Sequence, residues 1–273
     1  MSSALNYREC HFKREFDGGA ELPFQRENTM KENRYDDEIF FRKYGEMARS
    51  RYGLAGAGEW LELKKLLPDF TGKRVLDLGC GYGWHCKYAA DHGASDVVGV
   101  DLSQRMLGRA MEQNTAPQIH YHCAAMEDLT FSAGRFDVVF SSLAFHYVRD
   151  FSPLVERISD WLRPGGELVF SVEHPVFTAY GSQDWYYDSQ GKILHFPVDN
   201  YYYEGKREAI FLGEKVVKYH RTLTTYLEAL LRNGFSIHHV IEPQPPAEML
   251  GQPGMLDEMR RPMMLLVSAT KGC

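Results

Sequence analysis

Short apolar runs alternate with amphipathic segments over most of the chain. The predicted strands are 74–78, 97–100, 119–122, 136–141, 167–173, 235–241 and 263–269. Helical patterns separate the first five of these runs, and a strand, a helix and a further strand in succession predict parallel pairing. We therefore expect an α/β fold with a doubly wound, mostly parallel sheet of seven strands.

Three helices carry sequence signals for their ends. Ser103 is the expected N-cap of one helix, and Ser152 followed by Pro153 is expected to begin another. Gly234 is expected to end the last major helix, 222–233. The positions expected to face the core are Met106, Leu107, Ala110 and Met111; Phe151, Leu154, Val155, Ile158 and Leu162; and Leu223, Tyr226, Leu227, Leu230 and Leu231.

The stretch from 74 to 84 carries the clearest chemical signal. The apolar run 74–78 enters a turn with glycine at every second position from 79 to 83, and an amphipathic segment begins at once at Trp84. Glycines here let a ligand approach the main chain at the start of a helix. Asp101 closes the next apolar run 18 residues beyond Gly83, close to the spacing of about 20 for a ribose-binding carboxylate. Together these features predict a nucleoside site.

The glycine spacing distinguishes two kinds of nucleotide site. A dinucleotide fingerprint reads G-x-G-x-x-G, whereas this chain reads G-x-G-x-G. With Asp77 two places before the first glycine, the stretch resembles motif I of the class I S-adenosylmethionine-dependent methyltransferases. The resemblance continues in order from about Tyr35 to Lys271. It implies a Rossmann-like sheet with its seventh strand antiparallel beside the sixth, S-adenosylmethionine as cofactor, and methyl transfer as the activity.

The resemblance also implies parts of the cofactor site. Asp77 would face the sulfonium or the amino group, and Asp101 would bind both ribose hydroxyls. Segment 124–129 lacks the Asp-Ala-Glu carboxylate that relatives often use for adenine, so main-chain groups or an acid of this segment would replace it. As alternatives, Asp101 caps the following helix and Met106 belongs to the core. The expected cofactor-binding residues are Tyr35, Tyr44, Arg49, Asp77, Gly79, Gly81, Gly83, Asp101, Leu102, Met106, Ala125, Met126, Glu127 and Ser141.

The N-terminal part divides into a tail and a helical segment. Residues 1–29 are polar and without period, so we expect a loose extension, and 30–273 is the expected methyltransferase domain. Similar enzymes often carry an N-terminal helix over the cofactor, so 35–60 is expected to form a lid and its glycine-rich hinge, with Arg49 against the methionine carboxylate. A surface helix packed on the core is the alternative.

The candidate catalytic residues follow the carboxyl ends of predicted strands 4 and 5. Methyl transfer is an in-line displacement, which needs alignment first and a base only if the acceptor must lose a proton. His146 and His174 follow these strands and are the candidates for a base or an acceptor-orienting group. The alternatives are a main-chain hydrogen bond for His146 and a loop brace for His174. Arg221 is expected to pair with an acid of the insert or to bind an anionic acceptor.

Residues 174–220 form a long insert that is dense in aromatic side chains. A segment of this length inside a domain usually has a function or a small structure of its own. We expect a cap, whose aromatic residues either cover the acceptor or form a hydrophobic subcore.

Composition and charge limit the kinds of binding partner that are expected. The net charge of −6 gives no general attraction to nucleic acid, so none is expected. Five cysteines without C-x-x-C spacing indicate neither a disulfide framework nor a structural metal site and fit a cytoplasmic protein. No apolar run is long enough to span a membrane. A monomer and a homodimer are both compatible with the sequence.

The function expected from these features is methylation of a small molecule on oxygen, nitrogen or carbon. One alternative is methylation of RNA, for which Arg260, Arg261, Lys215 and Lys218 would make a local phosphate contact. The other is a protein that binds S-adenosylmethionine without turnover.

Overall fold

Eleven strands and nine α-helices occur in residues 33–272, the part of the chain that the computed structural model describes. The strands are β1 (Arg74–Leu78), β2 (Asp96–Asp101), β3 (Ile119–Cys123), β4 (Phe136–Ser142), β5 (Leu162–Glu173), β6 (Tyr186–Tyr187), β7 (Ile193–His195), β8 (Gly205–Phe211), β9 (Glu214–His220), β10 (Phe235–Ile241) and β11 (Met264–Lys271). The α-helices are α1 (Glu38–Gly45), α2 (Ala48–Arg51), α3 (Trp60–Leu66), α4 (Trp84–Asp91), α5 (Gln104–Gln113), α6 (Phe151–Trp161), α7 (Pro175–Thr178), α8 (Leu223–Arg232) and α9 (Met255–Glu258). The predicted loose extension at 1–29 lies outside the described residues. None of the helices between 33 and 272 has the length and apolar composition to cross a membrane.

Seven of the strands form the central sheet, in the order β10-β11-β5-β4-β1-β2-β3. β1 pairs in parallel with β2 and with β4, whereas β11 runs antiparallel to both β5 and β10. The strand order reverses between β1 and β4, and in an open α/β sheet a crevice for ligands forms at this point, beyond the carboxyl ends of the strands. The predicted doubly wound, mostly parallel sheet of seven strands is confirmed.

The two faces of the sheet are covered by different helices. On one face Leu76 belongs to a buried cluster with Leu154 of α6. On the other face its neighbour Val75 packs in a cluster with Ala89 of α4. Burial of side chains of this size contributes ~1.5–3 kcal/mol each. Because side chains alternate along a strand, Asp77 points to the same side as Val75, toward α4.

The ends of two helices agree with their sequence signals, and one does not. The side chain of Ser103 accepts a hydrogen bond from the main-chain N–H of Met106 at 3.1 Å, as an N-cap does, and Gly234 follows α8 with a φ of +78°. Helix α6, however, begins at Phe151 rather than behind a Ser152 cap. Pro153 is tolerated there because the N–H groups of the first turn have no partner within the helix.

Two residues that the helical period placed in the core are exposed. Met111 of α5 is 54% exposed and Leu231 of α8 is 52% exposed. Each follows a buried residue, Ala110 or Leu230, by one position, which turns it about 100° around the helix axis. Both therefore lie at the margin of the apolar stripe and face outward.

The insert forms two separate hairpins, β6–β7 and β8–β9. Ala209 of β8 and Val216 of β9 are buried in one cluster with Phe40 of α1. Lys43 of α1 also forms an ion pair with Glu214 of the hairpin, at 3.2 Å. The N-terminal helix and the insert are thus packed together.

The first hairpin of the insert is held by an arginine from the segment before β11. The guanidinium of Arg261 lies 4.5 Å from the ring centre of Phe177, 5.0 Å from that of Trp185 and 4.8 Å from that of Phe196. Glu258 accepts two hydrogen bonds from the same guanidinium. The aromatic residues of the insert therefore form a small subcore of their own at this position.

Candidate active site

Asp101 ends β2 beside the glycine turn, and main-chain N–H groups hold its carboxylate from two sides. Gly81 donates to Oδ2 at 2.8 Å, and Ser103 donates to Oδ1 at 2.9 Å. Each oxygen keeps a further lone pair for a ligand. Burial outweighs these hydrogen bonds and raises the pKa of Asp101 to about 6. Two adjacent acceptor atoms are what the binding of a ribose diol requires. The side-chain cap of α5 is provided by Ser103 and not by Asp101.

Gly79 and Gly83 make room for protein atoms. Both have a φ of +76°, and a Cβ on Gly79 would lie 2.3 Å from the Cβ of Ala144. On Gly83 it would lie 2.2 Å from the hydroxyl of Tyr121. The turn is also fixed to β2, since Gly79 donates to the main-chain oxygen of Val100 at 2.8 Å. These contacts hold the main chain of the turn, and with it Gly81, against Asp101.

Asp77 is a buried carboxylate with one oxygen left over. Its Oδ2 accepts a hydrogen bond from the thiol of Cys86 at 3.2 Å, whereas its buried Oδ1 has no hydrogen-bond partner among the described residues. Burial raises the pKa of Asp77 to about 7. A ligand that brings a donor or a positive charge to this side of the turn would supply the missing partner.

The residues predicted to bind adenine lie at the start of α5 and in the segment that follows β3. Ala124 donates to the main-chain oxygen of Asp101 at 3.0 Å, which ties the segment after β3 to β2. Ala125 is buried and precedes a 3-10 helix, Met126–Asp128, which includes Glu127. Met106 is 3% exposed, and its terminal methyl lies 3.4 Å from the position of a Cβ on Gly81. Met106 therefore packs against the glycine turn, next to Leu102.

Tyrosine side chains connect the N-terminal segment to the glycine turn. The hydroxyls of Tyr35 and Tyr147 are 3.0 Å apart. The ring of Tyr44 lies 5.4 Å from that of Tyr35 and 5.7 Å from that of Tyr82, which stands within the turn. Asp36 accepts a hydrogen bond from the Ser103 hydroxyl at 2.6 Å. The segment thus contacts the start of α5, the glycine turn and the loop after β4, and its role as a lid stays a prediction.

Arg49 is paired with a buried acid. Its Nη2 donates to both carboxylate oxygens of Glu59, at 3.1 and 2.9 Å. Glu59 is 1% exposed, and its Oε1 lies 3.5 Å from the hydroxyl of Ser142 at the end of β4. A guanidinium has five N–H groups, so this pairing fixes Arg49 at the edge of the sheet and leaves donors for an anionic ligand.

Ser141 lies near the end of β4 and His146 in the loop after it, and the two side chains have different contacts. The buried hydroxyl of Ser141 donates to the main-chain oxygen of Leu78 at 2.8 Å and joins β4 to β1. Nδ1 of His146 accepts the main-chain N–H of Glu173 at 3.3 Å. Burial lowers the pKa of His146 to about 4, so the ring is neutral and its proton is on Nε2. This tautomer favours a hydrogen-bond donor over a base.

His174 lies between the start of α7 and the end of β10. Its Nδ1 accepts the main-chain N–H of Val176 at 3.1 Å and caps α7. Its Nε2 lies 2.8 Å from Oε1 of Glu242, which follows β10, but makes no hydrogen bond among the described residues. These contacts agree with the alternative of a loop brace, and the expectation that His174 takes a proton in catalysis stays a prediction.

Arg221 likewise differs from its expected role. Its guanidinium donates to the main-chain oxygens of Tyr219 at 3.2 Å, of Arg149 at 2.8 Å, and of Val148. These oxygens accept where an acid of the insert or an anionic ligand was expected. Arg221 therefore fixes the loop that follows β4.

A polar cluster that was not expected from the sequence lies at the carboxyl end of β5. Nζ of Lys218 lies 2.5 Å from Oε1 of Glu173 and 2.8 Å from Oε1 of Gln183, and Nε2 of Gln183 donates to Oε2 of Glu173 at 2.5 Å. His146 accepts the main-chain N–H of Glu173, which brings the adjacent Tyr147 to this cluster, and burial and the charge of Glu173 raise the pKa of Tyr147. The available signal was Lys218 itself, a charge at an inward position of β9.

Comparison with known proteins decides the family. A Listeria monocytogenes protein assigned as an S-adenosylmethionine-dependent methyltransferase is 56% identical, and its crystal structure covers 81% of this chain and 100% of its own with a TM-score of 0.78. The chain belongs to the S-adenosylmethionine-dependent methyltransferases. The structure of such an enzyme from Mesorhizobium loti resembles this methyltransferase with 44% identity and a TM-score of 0.74, covering 80% of this chain and 100% of its own.

Two further matches agree with this assignment. A family model described as a methyltransferase domain matches residues 76–170 of the methyltransferase. The ubiquinone biosynthesis O-methyltransferase of Coxiella burnetii is 33% identical over 162 residues, which are 56% of this chain and 68% of that protein. The predicted family, enzyme class and cofactor are confirmed. The side chains of the methyltransferase fit S-adenosylmethionine, since Asp101 offers two acceptor oxygens and Asp77 an oxygen without a partner.

Proposed function

We propose that the methyltransferase methylates a small molecule by in-line displacement, and that this acceptor binds at the carboxyl ends of β4 and β5. One observation carries the proposal. Polar groups of four segments are joined by direct contacts: Tyr35 meets Tyr147, His146 beside Tyr147 binds the main chain of Glu173, and Lys218 pairs with Glu173. A site built from the chain's own N-terminal segment and insert suits a small acceptor better than a polymer. The similarity to a ubiquinone biosynthesis O-methyltransferase supports the same class of acceptor.

In this proposal each part of the cofactor has a partner in the chain. Asp101 binds the ribose hydroxyls, the main chain at Ala125 and Met126 binds the adenine, and Arg49, held by Glu59, binds the methionine carboxylate. S-adenosylmethionine, when bound, supplies a methyl group that is already activated, so the protein has mainly to align the acceptor. The tyrosines of the N-terminal segment exclude water from the site.

His146 is proposed to orient the acceptor. Its Nδ1 is held by the main chain of Glu173, so Nε2–H is the free donor of a buried, neutral ring. A donor in a fixed direction positions an acceptor oxygen or nitrogen without changing its charge. His146 contributes alignment in this account, and another group takes any proton.

A labelling experiment tests the proposed function. The protein is incubated with methyl-labelled S-adenosylmethionine and a cell extract, and the products are separated by size into small molecules, RNA and protein. We expect the label in the small-molecule fraction, and Asp101→Ala, which loses the ribose contacts, should abolish it. Label in the RNA or protein fraction, or no transfer at all while the protein binds the cofactor, would contradict the proposal.

A further inference from the structure

Glu173, Gln183 and Lys218 form a closed ring of hydrogen bonds between three segments. Glu173 ends β5, Gln183 lies in the insert before β6, and Lys218 belongs to β9. Each side chain contacts the other two, at 2.5 to 2.8 Å. The side chain of Lys218 is 3% exposed and that of Glu173 is 15% exposed. An ammonium and a carboxylate are thus brought together at the edge of the sheet, almost out of contact with water.

This ring is not explained by stability. Removing two charges from water costs several kcal/mol each, and an apolar pair of similar volume is often as stable. Gln183 also adopts a φ of +60°, which a residue with a side chain seldom takes. Strain and buried charge in the same place are typical of a functional site.

The ring has hydrogen-bonding capacity to spare. Among the described residues Lys218 Nζ has two hydrogen-bond acceptors, Glu173 and Gln183, so one of its three N–H groups is unused. The carboxylate of Glu173 accepts one hydrogen bond at each oxygen from these neighbours, and further lone pairs remain. A donor and an acceptor are therefore available side by side.

The ring also lies next to the proposed acceptor site. The main-chain N–H of Glu173 binds His146, and the charge of Glu173 reaches Tyr147, whose hydroxyl meets Tyr35 of the N-terminal segment. Nζ of Lys218 lies 5.3 Å from the ring centre of Phe211. The hydrogen-bonded ring of Glu173, Gln183 and Lys218 therefore lies among the same segments that form the proposed acceptor site.

We propose that Glu173 and Lys218 bind the hydroxyl group of the methyl acceptor and that Glu173 takes its proton, so that the methyltransferase methylates oxygen. This inference rests on the proposed function. A hydroxyl donates and accepts at once, and the pair offers one partner for each role. A protonated amine would be repelled by Lys218, and a carbon acceptor would leave Lys218 without a role.

The charge state of Glu173 agrees with this role. Burial pushes its pKa upward, but the charge of the Lys218 ammonium and the hydrogen bonds from Lys218 and Gln183 outweigh burial, and the pKa of Glu173 is lowered. The other titratable groups that sense its charge are neutral, because burial lowers the pKa of His146 and raises the pKa values of Tyr147 and Tyr226. Glu173 is therefore ionised near neutral pH and able to accept a proton.

The chemical step balances without a further reactant. The O–H bond of the acceptor breaks and its proton passes to the Glu173 carboxylate, while Lys218 stabilises the negative charge that grows on oxygen. The oxygen forms a bond to the methyl carbon as the bond from that carbon to sulfur breaks, and this electron pair stays on sulfur. S-adenosylhomocysteine and the methyl ether result, and Glu173 releases the proton to water.

A coloured phenol tests the role of Lys218 without turnover. The protein is saturated with S-adenosylhomocysteine, and 4-nitrophenol or 4-nitrocatechol, whose anions absorb visible light, is titrated with pH in the bound state. A cation within hydrogen-bonding distance lowers the pKa of a phenol by about one unit or more. We expect this shift in the wild type and in Lys215→Met, an exposed lysine of the same strand, and not in Lys218→Met.

The variants keep this test decisive. If Lys218→Met leaves Glu173 unpaired and fails to fold, Lys218→Met with Glu173→Gln removes both charges together, and it too should lack the shift. An unchanged shift in either variant overturns the proposal, as does a wild type that binds S-adenosylhomocysteine and neither phenol. A wild type that does not bind S-adenosylhomocysteine contradicts the proposed function itself, so the two failures are distinguishable.

Glu173→Gln tests the proton transfer. With the same phenols as acceptors, formation of S-adenosylhomocysteine should fall by about 10²-fold or more, as for loss of a general base. The shift in the phenol pKa should persist, because Lys218 remains. A structural role alone would lower the melting temperature and leave the rate per folded molecule unchanged, and that result would overturn the assignment of Glu173.

Discussion

At the scale of single residues, Asp101 combines the strongest sequence signal with the clearest geometry. Asp101→Asn keeps the shape of the side chain and removes its charge, so the affinity for S-adenosylhomocysteine should fall by about tenfold or more, as expected for loss of charge-assisted hydrogen bonds. Titration calorimetry measures this affinity. Asp91→Asn, an exposed acid at the end of α4, is the control and should bind like the wild type. Equal affinity in both variants would remove the ribose assignment.

The raised pKa of Asp101 predicts how this affinity depends on pH. Ribose hydroxyls donate to the ionised carboxylate, and burial raises the pKa of Asp101 to about 6. Affinity for S-adenosylhomocysteine should therefore decrease as the pH falls through about 6, because binding must then remove a proton. The decrease should persist in Asp77→Asn and disappear in Asp101→Asn. A decrease of the same size in Asp101→Asn would assign it to another group.

The raised pKa of Asp77 predicts a change in stability with pH, and this change has the opposite direction: stability is lost as the pH rises. Burial raises its pKa to about 7, so between about pH 4 and 7 the folded state holds a proton that the unfolded state releases, and stability decreases as the pH rises. In the ligand-free protein, Asp77→Asn should raise the free energy of unfolding by up to ~4 kcal/mol near pH 8 and by little near pH 4. Denaturant unfolding at several pH values measures this.

Asp137 provides a control of the opposite sign for this experiment. Hydrogen bonds from Arg74 and Arg163 outweigh burial and lower the pKa of Asp137 to about 2. Its contribution is present at neutral pH and lost in acid, so Asp137→Asn should destabilise the protein near neutral pH. If Asp77→Asn shows the same change in stability at every pH, the carboxyl group of Asp77 does not titrate in this range.

Residue roles could be predicted where they depend on local sequence. The glycine turn and Asp101 are close in sequence and are joined by the strand pairing of β1 with β2, so their spacing was informative. Glu173 and Lys218 are 45 positions apart, and they meet only because the insert folds back onto β5. No local pattern encodes such a contact. Tautomers are also fixed by tertiary partners, so the sequence could not decide between a catalytic role and a loop brace for His174.

At the scale of elements, the N-terminal segment and the loop after β4 meet through one pair of hydroxyls. If the segment closes on the donor, Tyr35→Phe and Tyr147→Phe should each release S-adenosylhomocysteine faster, by about threefold to tenfold, because a hydrogen bond of ~0.5–1.5 kcal/mol is lost. The double variant should add little to either single one, since both remove the same bond.

Stopped-flow release of S-adenosylhomocysteine, followed by tryptophan fluorescence, measures these rates. Tyr52→Phe, which alters a tyrosine that is 70% exposed, is the control and should behave like the wild type. Release that is unchanged in all three variants would mean that opening of this segment does not limit dissociation.

Element types were easier to predict than their ends. The inner strands of the sheet, such as β1, β2, β4 and β11, are mostly apolar because both of their faces are covered, and such runs are recognised from sequence alone. The start of α6 was misjudged because Pro153 is accepted at several positions of a first turn. The hairpin β6–β7 of the insert could not be predicted, since its strands are short and largely exposed and have no clear alternation.

At the scale of the whole molecule, Arg261 joins the first hairpin of the insert to the segment before β11. Arg261→Leu removes a cation from between three rings, each contact being worth ~0.5–2 kcal/mol. We expect faster proteolysis within residues 186–195 at native conditions. The change Arg232→Leu, at an exposed site of α8, should leave the rate unaltered. Equal cleavage in both variants would show that the hairpin is held by other contacts.

The position of β11 in the sheet limits when β10 can pair during synthesis. β11 lies between β5 and β10, although β10 precedes it in the sequence. In a nascent chain β10 must therefore wait, without a neighbour in its own sheet, until β11 has been translated. Unpaired strands are templates for aggregation, and β10 carries exposed polar residues, His238 and His239, beside a bulge in its register. We expect these features to disfavour pairing of β10 with another molecule before β11 is available.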